Sequence, residues 1–94
     1  MFTLDQKLGV HPEVVDTELD TSETALLHLG SKIYYSLNAT GVRVWQGLKQ
    51  GLTLNQISQS LQQEFDVDAE TANRGVLELV EDLSQQGLVQ VLDP

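Results

Sequence analysis

The side chains in this 94-residue sequence that could do chemistry are two histidines, fourteen carboxylates and a scattering of serines. A metal site needs several imidazole, thiolate or carboxylate groups converging at ligand spacing. His11 falls in an N-terminal arm and His28 in a strand, with no second histidine or carboxylate at such spacing, so no metal site is expected. Cysteine is absent, which removes disulfides, thiolate ligands and cysteine nucleophiles together. A serine nucleophile needs a base patterned near it, and no histidine or lysine is so placed. The acidic runs "DVDAE" and "VEDL" have the form of solvated helix faces or of dipole partners at a helix N-terminus. Neither GxGxxG nor GxxxxGK[ST] occurs. "NAT" at residues 38–40 matches a glycosylation acceptor in form, but a helix-capping role suits Asn38 better in a chain with no export signal. The expectation is a protein with no catalytic residue, no cofactor and no metal, whose work is binding.

Charge narrows what it could bind. The formal net charge is −9, with two basic against six acidic residues in positions 1–37 and three against eight in the rest. Phosphate backbones are held through several Lys or Arg contacts, so five scattered cations argue against nucleic acid. The N-terminal "MFTLDQKLGVHPE" has no basic stretch leading into an apolar run, and no window approaches the roughly 18 apolar residues of a membrane span. A cytoplasmic protein that avoids membranes is expected. Hydrophobic residues at 40% and charged residues at 20% suit one small folded domain.

The elements that would position a binding surface are legible from periodicity. Past an arm ending at "HPE", the segment Val14 to Leu19 alternates weakly and ends in the turn cluster "DTS". Thr24 to Leu29 forms a second apolar run that stops at Gly30-Ser31, a two-residue hairpin signal. Lys32 to Leu37 then sets Ile33, Tyr35 and Leu37 on one face and Lys32, Tyr34 and Ser36 on the other. Asn38 is placed to cap a helix in which Gly41 permits close approach to the sheet and Val42, Trp45 and Leu48 face inward. Gly51 ends that helix, Thr53 caps the next, and Leu54, Ile57, Leu61 and Phe65 form its stripe. Asp68 caps a third helix running to about Gln86, with Ala72, Val76, Leu79, Val80 and Leu83 inward and Gly87 closing it. The tail "LVQVLDP" is long enough for a short strand. The spacing predicts an α+β fold, a three-stranded antiparallel sheet followed by three helices.

Two helices, a turn and a third helix beside a hairpin is a winged helix-turn-helix layout, in which the third helix would enter a DNA groove. That helix carries Asp68, Glu70, Glu78, Glu81 and Asp82 against Arg74, a poor match to phosphates. Two features point elsewhere. Leu77 lies about 100° from the centre of the inward stripe, on the side of Asn73 and Ser84, at the margin of the core. The third strand, if it borders the sheet, offers unpaired backbone groups and an outward Tyr34. An open strand border next to an apolar helix margin can accept a peptide as an added strand. The competing account, which spacing alone favours, packs Leu77 beneath the C-terminal "LVQVL" and leaves Tyr34 an ordinary surface aromatic.

The ordered set of residues resembles the PqqD-like family. It comprises Leu37-Asn38, Gly41 and Trp45 after the third strand, Gly51-Leu52-Thr53 before the second helix, Phe65-Asp66-Val67 between helices, and Leu83 with Gly87-Leu88-Val89 at the close. The match runs over roughly residues 13 to 92. Members of that family are RiPP recognition elements, so the resemblance implies a non-catalytic protein that holds the leader of a ribosomally made precursor peptide and presents it to a modifying enzyme or leader peptidase. It implies a leader bound beside the third strand, in a cleft walled by the third helix. Carried across by position, the contacts would be Lys32, Ile33, Tyr34, Tyr35 and Ser36 on the strand and Asn73, Leu77, Val80, Glu81 and Ser84 on the helix.

The resulting expectation is a flexible arm at 1–12 and one peptide-binding domain at 13–94, free-standing because the chain ends at Pro94 with no fused enzyme. Quinone cofactor and lasso peptide pathways both use such modules. The alternatives are a winged-helix DNA-binding regulator and an adaptor for a folded protein, and an open strand border also permits a homodimer.

Overall fold

The computed structural model describes residues 2–20 and 22–91. Met1, Thr21 in the first turn cluster, and residues 92–94 at the end of the tail lie outside the described residues. The order is β1 Leu8–Val10, β2 Val14–Asp20, β3 Glu23–His28, β4 Tyr34–Leu37, α1 Ala39–Lys49, α2 Leu54–Phe65, α3 Ala69–Gln85 and β5 Val89–Val91. β2, β3 and β4 form an antiparallel meander and the three helices follow it, the α+β arrangement that the periodicity predicts. Among the described residues no helix is long and apolar enough to cross a membrane.

Alternation divides the meander into two faces. Leu26, paired with Asp16 on one side and Tyr35 on the other, lies on the helix-facing side and is fully buried. The next position puts Val15, Leu27 and Tyr34 in one cross-strand row on the opposite face, where all three are exposed. Each helix starts at the residue whose side chain can satisfy its first N–H groups. The Gly41 N–H donates to Asn38 Oδ1 at 2.9 Å and the Thr71 N–H donates to Asp68 Oδ1 at 2.8 Å. Thr53 Oγ1 accepts from the Gln56 N–H at 3.1 Å while Gln56 Oε1 accepts from the Thr53 N–H at 2.9 Å, a reciprocal capping box.

The core gathers Leu26 and Leu37 from the sheet with Val44, Trp45, Leu48, Ile57, Leu61, Val76, Val80 and Leu83 from the helices. Trp45 ties α1 to β2, because its indole N–H donates to Asp16 Oδ2 at 2.8 Å and Lys49 Nζ donates to the same oxygen at 2.8 Å. The Lys49 and Trp45 hydrogen bonds hold the Asp16 carboxyl below its usual range. α1 approaches α2 closely at Gly47, where an added Cβ would sit 2.6 Å from Ile57 Cγ1.

Two segments depart from what spacing predicts. Residues 1–12, expected as a flexible arm, are built into the fold from Leu4 onward. Leu8–Val10 pairs antiparallel with Val89–Val91, and Leu8 is fully buried. The backbone carbonyls of Gln6 and Leu4 accept from the Leu54 and Asn55 N–H groups at 3.0 and 2.8 Å. A three-residue strand is too short to show a period, and its partner lies at the other end of the chain. The second departure is the β3–β4 connection, which is a loop over Leu29–Lys32 and not a two-residue turn. His28 makes the wider loop, since its Nδ1 accepts from both the Gly30 and Ser31 N–H groups at 3.1 and 3.2 Å, while Lys32 takes a φ of 63°.

Candidate functional site

β4 is a border strand: β3 lies on one side, and no described strand pairs with the other. The His28 N–H donates to the Ile33 carbonyl at 2.9 Å, which sets the phase of the ladder. In an antiparallel pair the bonded positions alternate. Tyr35 opposite Leu26 and Leu37 opposite Thr24 therefore share that phase and bond to β3. Tyr34 and Ser36 turn their N–H and C=O groups outward, away from β3. Val89–Val91 of the tail, which could have covered this border, pairs with β1 instead.

α3 stands across from the open border. The Tyr35 hydroxyl donates to Asp82 Oδ2 at 2.5 Å, fixing which side of α3 faces β4. Desolvation, and then the Asp82 carboxylate, push the Tyr35 phenol up to about 12, so it stays a neutral donor. At roughly 100° per residue, Gly75 lies about 20° and Leu79 about 60° from Asp82 around the axis, on the same side of the helix. Nothing lies within 4 Å of a Cβ added at Gly75. Two turns along α3 from Asp82, Gly75 borders a pocket of about 190 Å³ lined also by Thr40, Leu61, Phe65, Val67, Thr71 and Ala72. The arrangement sets free backbone donors and acceptors on β4 across from the Asp82 side of α3, with open space at Gly75 and an apolar pocket beside it.

The opposite side of α3 is closed. Asn73 Oδ1 accepts from the Ser58 hydroxyl of α2 at 2.5 Å. Asn73 and Asp82 are nine residues apart, about half a turn around the axis, so one faces α2 and the other β4. The helix residues assigned by position fall mainly on this side or in the core. Val80 is fully buried in the core, Leu77 is partly buried against it, and Asn73, Leu77 and Ser84 share the α2 side. Glu81 is exposed. The side that meets β4 carries Gly75, Leu79 and Asp82, none of which spacing selected as a contact. On the strand, Lys32 lies in the loop and Ile33 ends it, Tyr35 points inward to Asp82, and only Tyr34 and Ser36 offer free backbone. One signal was available: a glycine mid-helix costs about 1 kcal/mol relative to alanine, an expense that often marks a close approach or an opening.

The fold also brings together residues that the sequence leaves far apart. The His11 and His28 rings lie with centroids 4.5 Å apart, and ligand atoms of His11, Glu13 and His28 fall within 4.8 Å of one another. The hydrogen bonds decide what this trio does. His11 Nδ1 accepts from the Glu13 N–H at 3.1 Å, and His28 Nδ1 is taken by the loop N–H groups. A neutral imidazole accepting at Nδ1 carries its proton on Nε2, so neither ring offers a metal a lone pair without giving up its bonds to the backbone. The trio clamps the loop that precedes β4.

Comparison with known proteins follows this geometry. The chain resembles the solved structure of TbiB1 in complex with the TbiA(beta) leader peptide, with a TM-score of 0.83 and 28% identity over 92% of this chain and 99% of that one. A lasso peptide synthetase B1 complexed with the leader peptide gives a TM-score of 0.80 and 28% identity over 88% and 96% of the two chains. No curated protein matches. The family described as coenzyme PQQ synthesis protein D matches residues 23–89, from the start of β3 to the start of β5. With that match covering most of its length, the chain belongs to the PqqD family.

Proposed function

We propose that this chain is a leader-peptide-binding protein, a RiPP recognition element that takes the leader of a ribosomally made precursor as an added strand against β4. One observation carries the reading: among the described residues the border of β4 is open, and the side of α3 that faces it is open as well. The guest strand would receive backbone hydrogen bonds from Tyr34 and Ser36, and its side chains would alternate between the groove and the outer face of the sheet. A side chain entering the groove toward Thr40 and Gly75 reaches the apolar pocket, where burial and not charge would select it. The likeness to two leader-bound structures supports the same reading. The role is non-catalytic and cytoplasmic, and the captured precursor is presented to a modifying enzyme or leader peptidase. A homodimer formed through β4 would compete with the leader for the same border.

The test is a titration of a fluorescently labelled synthetic leader, from the precursor encoded beside this chain, into the protein and its Ser36→Pro variant. The Ser36 N–H points out of the sheet, so proline there spares the β3–β4 ladder and removes a donor meant for a guest. Saturable binding at micromolar or better affinity, weakened at least tenfold by Ser36→Pro with the melting temperature nearly unchanged, is the expected result. No saturable binding to the wild-type protein, or equal affinity for the variant, rejects strand addition.

A further inference from the structure

We infer that the outer face of the meander is a second docking surface, built for a folded protein that presents an apolar patch bordered by lysine or arginine. The partner's identity rests on the leader-capture reading: it is the enzyme that acts on the captured precursor. The surface itself is independent of that reading.

The pairing register lays six positions on this face in two cross-strand rows, Val15–Leu27–Tyr34 and Thr17–Ala25–Ser36. None is charged, in a chain with fourteen carboxylates. Val15 is 46% exposed, Leu27 36% and Tyr34 64%, so the first row is an uncovered apolar strip. A solvent-facing antiparallel sheet ordinarily turns polar and charged residues outward. The strip is short, about 10 Å across three strands at the usual strand spacing. It suits the apolar centre of an interface whose rim is polar.

The rim sets the sign of the partner. Asp20 and Glu23, a cross-strand pair at one end, and Glu13 at the other are all exposed acids. A second copy would bring like rims together on top of −9 per chain, whereas a basic-rimmed partner gains from the same charges. The face is also continuous with the groove. Tyr34 lends its backbone to the free border and its side chain to the outer strip. A strand added at β4 would extend this face by one more row, and every second leader side chain would emerge beside Tyr34. A partner docked here would touch chain and leader together, which couples leader capture to enzyme recruitment.

The experiment measures the affinity of the purified modifying enzyme or leader peptidase for the chain, with and without leader, by calorimetry. It uses wild type, Leu27→Lys, Val15→Lys and the rim variant Asp20→Lys/Glu23→Lys. Leader affinity is followed in parallel. The expected result is at least a tenfold loss of enzyme affinity in Leu27→Lys and Val15→Lys with leader binding kept. The rim variant should lose less, and its deficit should shrink as salt rises. Should Leu27→Lys also lose the leader, Val15→Lys, two strands from the groove, decides the matter. Unchanged enzyme affinity in a variant that still binds leader overturns the proposal. So does sedimentation showing a wild-type dimer that Val15→Lys converts to monomer, since the occupant would then be a second copy. Failure of wild type to bind leader would reject the leader reading alone, because enzyme affinity is also measured on the leader-free chain.

Discussion

The two sides of α3 are made of similar residues and do opposite things. On the α2 side Asn73 hydrogen-bonds Ser58, Leu77 packs on the core and Val80 is fully buried. On the β4 side the one polar link among the described residues is Tyr35 to Asp82, and Gly75 faces space. Each side carries a leucine at the margin of the buried stripe, Leu77 on one and Leu79 on the other, and both are partly buried. The difference is the neighbour. α2 is a complete helix that already covers its side, whereas β4 is a border strand with half of its backbone bonds unmade. A helix wheel describes both margins alike, and only the partner element says which one is available to a ligand.

The sharpest way to break that contrast is to charge the closed side. Leu77→Asp removes apolar contact and sets a carboxylate at the edge of the core, so a stability loss of about 2–3 kcal/mol is expected in chemical denaturation. Leader affinity of the folded fraction should be unchanged. A variant that melts like wild type yet binds leader much more weakly would put the groove on the α2 side after all.

Filling the open side tests the same contrast in reverse. Gly75→Leu starts a side chain from a Cβ with no atom within 4 Å, so it should obstruct a guest strand without crowding the backbone around it. Leader affinity should fall at least tenfold, about 1.4 kcal/mol. The variant should also be more stable by up to about 1 kcal/mol, because leucine replaces a glycine inside a helix. Binding lost together with stability would show that Gly75 is packed and not open.

What could be read before the fold was known sorts by range. The caps at Asn38, Thr53 and Asp68 and the stops at Gly51 and Gly87 are decided within a few residues, and all five are where spacing puts them. The inward residues of α3 repeat every three or four positions, which identifies the buried stripe. Leu8 is different, because its burial depends on Val89–Val91 at the far end of the chain. The side of α3 that flanks β4 is set by one contact spanning 47 positions, Tyr35 to Asp82, between two residues with no local signature. Lys32 left the strand for a comparable reason: a histidine ring binding two loop N–H groups outweighed the hairpin signal of Gly30-Ser31.

Tyr35 allows the smallest and most specific test of the open side. Its hydroxyl donates to Asp82 and is the polar tie holding α3 against β4, so Tyr35→Phe should cost about 1 kcal/mol, the usual net worth of one hydrogen bond. The pH dependence gives the mechanism. The phenol is raised from 10.0 to about 12 in the folded protein, so the neutral form is favoured by folding. Stability from this group is fully present below pH 10 and is lost as pH rises from 10 through 12. In a Tyr34→Phe background, where Tyr35 is the only phenol left, phenolate absorbance should appear near pH 12, and the urea midpoint should fall across the same interval. Removing Tyr35 as well should flatten that fall. An equal decline in both proteins would mean that the Tyr35–Asp82 tie contributes nothing, and that the width of the groove is held by the core residues behind it.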